Sequence, residues 1–471
     1  MEKISPELDY SPSVSNHSTY VYRNTPPQGS SSVTLSSSSV SGPTTFLLSP
    51  SVYNMAKSRL NFTLSVAAQG SGNAAWIQGN LNTLINRIQV IDSNSSNVLC
   101  DVSNFDKYCS MLSGPCTDLS KFLTKSFNFS PSGAFDTKFV MEDIEKSRVN
   151  YSSNFTSAYI QENYTCLTGA ADDFNLAAES GFNSRRQYYI SPLNTAVDLN
   201  VSLPFSGWYH TVMATDKNIY TPSNIEVNIW FNSTNQFGFL NNSLVGLGTN
   251  AVASLTGTIQ LTNILLEMAV ESNLSIVSQT INKVMSSGLS LQIPYPTLTR
   301  TTLTGANPSF QLQLTKSLGS RILYIATSPF YNGGSLNTAQ AHSTYSAYNQ
   351  TWAWKNFNTF INNQFIRYAN GYNVEKGQDW FYNNRIFFEG SAVQGEGTYR
   401  KTDFVNFDSF FGDKPIKDLD PHSVDGLSLT DSSSVWSITG ELDSSRTLDY
   451  FVLIQGQKTL SISNQGIQVL V

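Results

Sequence analysis

Strand-like alternation of apolar and polar residues dominates this chain. In "RLNFTLSV" the positions Leu60, Phe62, Leu64 and Val66 fall on one face. "VDLNVSLP" repeats the pattern with Val197, Leu199, Val201 and Leu203, and "NIEVNIWF" with Ile225, Val227, Ile229 and Phe231. The second half continues it. "GLSLQIPY" supplies Leu289, Leu291, Ile293 and Tyr295, and "SFQLQL" supplies Phe310, Leu312 and Leu314. "SRILYIAT", "LDYFVLIQG", "KTLSIS" and "IQVLV" complete the set. A period of two with one polar face is what a sheet needs when only one side meets a core.

Helical spacing is rare. After the strand "NRIQVI", Phe105, Tyr108, Cys109 and Leu112 recur at i, i+3, i+4 and i+7. Ser103 is the expected cap, Asp106 sits three residues later, and Gly114-Pro115 stop the helix. A second helix reads in "NLSIVSQTINKVMSSG", with Val277, Ile281 and Val284 on one face and Gly288 at its end. A third reads in "TDFVNFDSFFG", with Phe404, Phe407 and Phe411 ahead of Gly412. The first helix follows the strand "NRIQVI" and the second follows "LTNILLEMAV". Strand, connection, helix, strands is thus written twice, which points to two domains of one kind in tandem. The expected divisions are an arm over 1–44, a first domain over 45–254 and a second over 255–471. The fold class expected is all-β, two eight-stranded jelly rolls with a few short helices and long loops. The stretch 329–350 is one such loop, of the kind that carries function or contacts.

The arm is rich in Ser and Pro and has little to pack as a core. Its sparse aromatics, Tyr20 and Tyr22, with Phe46 just beyond, are candidate assembly contacts. Such an arm either orders on a neighbouring subunit or remains a free tail.

Composition narrows the surface chemistry. Charged residues make up 13% of the 471-residue chain, against about 25% in ordinary soluble domains. The surface is therefore largely hydroxyl and amide, which suits a protein that meets copies of itself. Net charge is −6, and the basic clusters are pairs, Arg185-Arg186 and Arg400-Lys401. Direct nucleic-acid binding is not expected without a basic face or tail. No apolar run approaches the ~18 residues of a membrane-spanning helix. The opening "MEKISPELDYSPSVSN" lacks the apolar segment of a signal peptide. Synthesis inside the cell is the expectation. N-x-S/T triplets, among them Asn61, Asn94, Asn154, Asn232 and Asn349, then read as chance products of composition. Cys100, Cys109, Cys116 and Cys166 have neither disulfide-framework nor zinc-knuckle spacing, and free buried thiols are expected.

Candidate chemistry is thin. His17, His210, His342 and His422 are scattered, and His210, beside Trp208 and Tyr209, reads as a packed or surface residue and not as a base. No G-x-S-x-G elbow or phosphate-cradling loop occurs. Glu142, Asp143 and Glu145 read as a solvated charge run, and Asp418, Asp420 and Asp425 do not match a calcium loop. No catalytic residue, metal or cofactor is expected. Trp352, Trp354, Trp380 and Phe381 could form a sugar platform, which keeps a carbohydrate-binding or host-attachment β-sandwich as the alternative; aromatic packing is the plainer reading.

The order of motifs resembles the double jelly-roll major capsid proteins of small eukaryotic double-stranded DNA viruses, the polinton-like viruses and virophages. Four stretches carry the likeness: "LINRIQVIDSNSSNVLCDVSNFDKYCSML"; "YYISPLNTAVDLNVSLPFSGW" with "IEVNIWF"; "LTNILLEMAVESNLSIVSQTINKVMSSGLSLQIPYPTLT" with "FQLQLTKSLGSRILYIAT"; and "LDYFVLIQGQKTLSISNQGIQVLV". They span about residues 45 to 471. The resemblance implies a homotrimer with a pseudo-sixfold outline, because each copy brings two rolls. It further implies an icosahedral shell around double-stranded DNA, contacts with neighbouring capsomers and with minor or penton proteins, and location in the virion.

Overall fold

The computed structural model describes residues 17–70, 74–78, 81–113, 187–191, 196–208, 210–241, 255–303, 309–314, 321–331, 354–361, 364–365, 411–413, 427–428, 436–442, 448–463 and 466–470. In chain order the first elements are β1 (Tyr20–Thr25), β2 (Val33–Thr34), β3 (Thr44–Leu48), β4 (Ser51–Val66), β5 (Ala74–Gln78), β6 (Ile85–Asp92), β7 (Val98–Ser103) and α1 (Phe105–Ser113). Then come β8 (Gln187–Ser191), β9 (Val197–Pro204), β10 (Asn218–Thr221), β11 (Ile225–Phe231), α2 (Thr234–Phe237), β12 (Gly238–Asn241), β13 (Ile259–Glu271) and α3 (Leu274–Ser287). The rest is strand: β14 (Leu289–Leu303), β15 (Ser309–Leu314), β16 (Arg321–Tyr331), β17 (Trp354–Ile361), β18 (Gln364–Phe365), β19 (Phe411–Asp413), β20 (Leu427–Ser428), β21 (Trp436–Leu442), β22 (Leu448–Ser463) and β23 (Gly466–Leu470).

Two large sheets have the same plan. In the first, β13 and β4 pair at the centre, β1 and β2 follow one another along the outer side of β13, and β10 and β9 along the outer side of β4. In the second, β14 pairs with β22, β16 and β23 share the other side of β22, and β19 and β20 lie along β16. Each is therefore four strands wide. A four-stranded sheet accompanies each, β3-β11-β6-β7 in the first half and β15-β21-β17-β18 in the second. Two sheets of four positions per half are the expected eight-stranded rolls. A small sheet, β12-β5-β8, stands apart.

The alternation decides which face is buried. Leu60, Phe62 and Leu64 of β4 and Ile225, Val227, Ile229 and Phe231 of β11 are all buried in one core. Phe62 meets Phe231 edge-on at 6.4 Å between ring centres, which fixes the two sheets face to face. In β14, Ile293 is buried, while Leu289 and Leu291 are partly buried against the same core. The side chains of β15 lie outside the described residues.

The helical stripe of α1 is wholly buried at Phe105, Tyr108, Cys109 and Leu112. Its start differs from expectation. Ser103 closes β7, and Asn104 (φ 52°) turns the chain, its carbonyl accepting from Lys107 and Tyr108 N–H. An Asn tolerates that left-handed backbone better than a Ser. α3 begins on Asn273, whose side chain accepts from Ser275 N–H, and ends at Gly288 (φ 69°). Of its expected face Val284 is fully buried. The expected third helix lies mostly outside the described residues, and Phe411 and Gly412 belong to β19 instead.

Two divisions change. "LTNILLEMAV" lies in β13, which was expected to open the second domain at 255. Its ladder with β4 places it in the first roll's large sheet. The arm is not free from residue 17 onward. β1 and β2 pair with β13 of the same chain, Leu35 enters the core, and the Ser-rich segment is tied by Ser36 and Ser37 carbonyls accepting from Thr234 and Asn235 N–H. Residues 1–16 lie outside the described set.

Cys100 and Cys109 are buried free thiols, and burial pushes the Cys100 thiol up to about 12. In a chain carrying Cys116→Ser and Cys166→Ser, no thiol should react with an aromatic disulfide reagent at pH 8 until denaturant is added. Rapid labelling of the native chain would contradict this placement. Leu60→Ala should cost about 2–5 kcal/mol in urea unfolding. Phe62→Asp, which buries an unpaired charge, should abolish soluble folded protein; a normal yield with a native circular-dichroism spectrum would refute the core assignment.

Candidate functional site: the arm strip and the junction between the rolls

The arm forms one edge of the first large sheet, with β1 and β2 paired along β13. Tyr20 stands opposite Glu271 and Tyr22 opposite Ala269 in the β1–β13 ladder. Tyr20 Oη donates to Asn218 Oδ1 (2.9 Å) and accepts from Asn54 Nδ2 (3.2 Å). Lys57 sits over the Tyr20 ring at 5.6 Å and Arg59 over the Tyr22 ring at 5.4 Å. Arg59 also pairs with Glu267 (2.9 Å), whose other oxygen accepts from Asn61 (2.8 Å). Tyr22 remains 48% exposed and Val21 59%. β1 is an edge strand, with a row of backbone groups turned away from β13.

Glu271 anchors this strip. Its Oε1 accepts from Thr19 N–H (3.0 Å) and Asn273 N–H (2.9 Å), and its Oε2 from Asn218 Nδ2 (2.8 Å). Burial alone would raise its pKa; these hydrogen bonds, with one from Ser18, outweigh that and hold it below the usual value.

The rolls meet where the β6–β7 turn, "IDSNSSN", receives the start of β23. Asp92 is fully buried at the end of β6. Its Oδ1 accepts from the Ser223 hydroxyl and from Asn94 N–H (3.3 Å). Its Oδ2 accepts from Ser95 Oγ (2.6 Å) and, across the junction, from Ile467 N–H (3.1 Å). The Ile467 carbonyl in turn accepts from Asn97 Nδ2 (2.9 Å) and Ser95 Oγ (3.1 Å). Gly466 has φ 126°, and a Cβ there would stand 3.1 Å from Asp92 Oδ2, so the approach needs glycine. Burial works to raise the Asp92 pKa, and the four hydrogen bonds overcome it to leave the carboxyl below its usual range.

A second contact lies at residues 205–214. Trp208 is buried, tilted against Phe205 (4.4 Å), edge-on to Phe105 of α1 (5.4 Å), and donates Nε1–H to Asn82 Oδ1 (3.0 Å). This brace presents His210, held at φ 49°, to the second roll. His210 Nδ1 shares a hydrogen bond with the Tyr324 hydroxyl of β16, and the His210 carbonyl accepts from Gln455 Nε2 of β22 (3.3 Å). Of the packed and surface positions that the sequence left open for it, His210 takes the buried one.

No family model matches the chain, and no curated protein matches it. Solved structures do. The major capsid protein of mavirus is 8% identical, with a TM-score of 0.51 over 100% of this chain and 94% of that one. That of Faustovirus is 10% identical, with a TM-score of 0.52 over 95% and 91%. A chain of the PBCV-1 virus capsid is 9% identical, with a TM-score of 0.51 over 97% and 98%. This chain has the double jelly-roll fold of viral major capsid proteins.

In a double jelly roll the sequence-derived contact residues divide. Phe46 is fully buried on β3, opposite Val227, so its side chain serves the core and is unavailable to a neighbour. Tyr20 is engaged within its own subunit, and Tyr22 retains an exposed face. Trp354 lies in β17, whereas Trp352, Trp380 and Phe381 fall outside the described residues, as do Glu142, Asp143, Glu145, Asp418, Asp420 and Asp425. Among the described residues no three His, Cys, Asp or Glu groups converge on a metal site. Asn232 is buried, donates to the Thr83 carbonyl (2.9 Å) and accepts from Asn86 (2.8 Å), so its N-x-S/T triplet is inaccessible in the folded chain.

Sequence reasoning missed Asp92 and Glu271. For Asp92 a signal existed: Ile88, Val90 and Asp92 share one phase of the alternation, so a carboxylate occupies a core-facing position. Tyr324→Phe should lower stability by about 1–3 kcal/mol, by removing the hydroxyl that meets a buried imidazole. Urea unfolding checks this, and an unchanged midpoint would show that the junction does not depend on the contact.

Proposed function

We propose that this chain is a major capsid protein that assembles as a homotrimer with a pseudo-sixfold outline and tiles an icosahedral shell around a double-stranded DNA genome. The observation that carries the reading is the duplicated plan: two rolls of equal sheet width, fixed to each other within one chain by buried polar contacts. Three such chains present six similar lobes, and closed cyclic assembly of a two-lobed unit gives that outline directly. The sparse charge of the surface supports large polar self-contacts. The similar solved structures reported above are viral capsid proteins, which supports the same reading. Neighbouring capsomers and minor or penton proteins are the partners this reading requires, and the virion is its location. The rolls divide at α3, with the first closing on Glu271 and the second opening at Leu289.

Light scattering after gel filtration should give a species near three times 51.9 kDa that persists on dilution. A monomer retained on sugar columns would favour the attachment-protein reading. A monomer with no such retention would remove the trimer.

A further inference from the structure

Asp92 and Glu271 share an unusual arrangement. Each carboxylate is buried, each is held by uncharged donors, and each joins a peripheral strand to the first roll. Asp92 holds β23 through Ile467 N–H, and Glu271 holds the entry to β1 through Thr19 N–H. Most of the donors are N–H groups, which cannot reverse their role. Both partners of Glu271 Oε1 are backbone N–H groups, and Oε2 faces the Asn218 amide. A proton on either carboxyl turns an acceptor into a poor one opposite a fixed donor. Buried donors left in that state are costly.

The surroundings offer no compensating charge. Asp92 is enclosed by residues 93–97, 222–224 and 466–468, none of which titrates. Around Glu271 stand His17, Tyr20, Lys217 and Tyr220, with the Lys57–Asp216 pair beyond Asn54. Tyr20 donates to Asn218, and the His17 carbonyl accepts from Asn273; none of these groups contributes to the Glu271 shift.

We propose that Asp92 and Glu271 are acid-released pins that hold β23 and β1 on the first roll. The device belongs to one subunit and does not require the assembly proposed above. Both carboxyls sit below their ordinary values in the folded chain. Their stabilisation is therefore complete above the ordinary carboxylate range and is lost as the pH falls through the lower folded values. Acid then frees the two outer strands before the central ladders part.

Hydrogen exchange on the full chain, corrected for the intrinsic pH dependence, tests this. Between pH 5 and pH 3, protection at Tyr20–Thr25 and Gly466–Leu470 should fall at least about tenfold, while the β4–β13 ladder keeps its protection. At pH 7, Asp92→Asn should release Gly466–Leu470 alone, and Glu271→Gln should release Tyr20–Thr25 alone. Unchanged protection of the native chain at pH 3 would overturn the proposal. So would either variant behaving like the native chain at pH 7, or losing protection throughout. Should acid unfold the native chain in one step, the pH 7 variants decide the matter.

Discussion

A strand with one apolar face is stable only when another sheet covers that face. The Phe62–Phe231 contact is where this requirement is met in the first roll, and the remaining architecture follows from it. Once β4 and β11 are set face to face, alternation forces Leu60, Leu64, Ile225, Val227 and Ile229 inward. It also forces Arg59, Asn61 and Glu267 outward, where they form a polar patch on the outer side of the sheet whose edge is β1. Two cationic side chains against two tyrosine rings fasten β1 beside that patch.

The junction between the rolls obeys a different rule. Beside the apolar core that the two rolls share, it carries buried polar contacts made by a carboxylate, an imidazole, a phenol and amides. Such groups cost stability unless each finds a partner, and once partnered they define one relative placement and penalise others. An apolar junction would tolerate sliding. A carboxylate that must meet Ile467 N–H beside a glycine does not. In the assembly proposed above, two lobes would have to match neighbours on every side, and a fixed placement would matter more than added adhesion.

The fold was largely legible because its long strands carry one consistent period. The second helix was legible because Val277, Ile281 and Val284 recur at helical spacing and Gly288 ends it. Pairing partners were not. Nothing local in "LTNILLEMAV" says that it lies beside β4 instead of opening the next roll, because strand choice is set by contacts some two hundred positions apart in sequence. The arm misled for a related reason. A Ser-rich segment with one Leu35 and two tyrosines has too little apolar surface to fold alone, yet enough to lie on a finished sheet. Phe46 misled because it stands next to the arm in sequence but belongs to β3. Asp92 was hidden in a stretch that reads as a turn, although its phase with Ile88 and Val90 marked it as inward.

The central claim is that two like rolls, locked within one chain, form one third of a six-lobed unit. Negative-stain imaging of the purified assembly tests it most directly. Class averages should show a threefold particle with six lobes of similar size around a common centre. Isolated two-lobed particles, or lobes that vary in relative orientation from one particle to the next, would contradict the account.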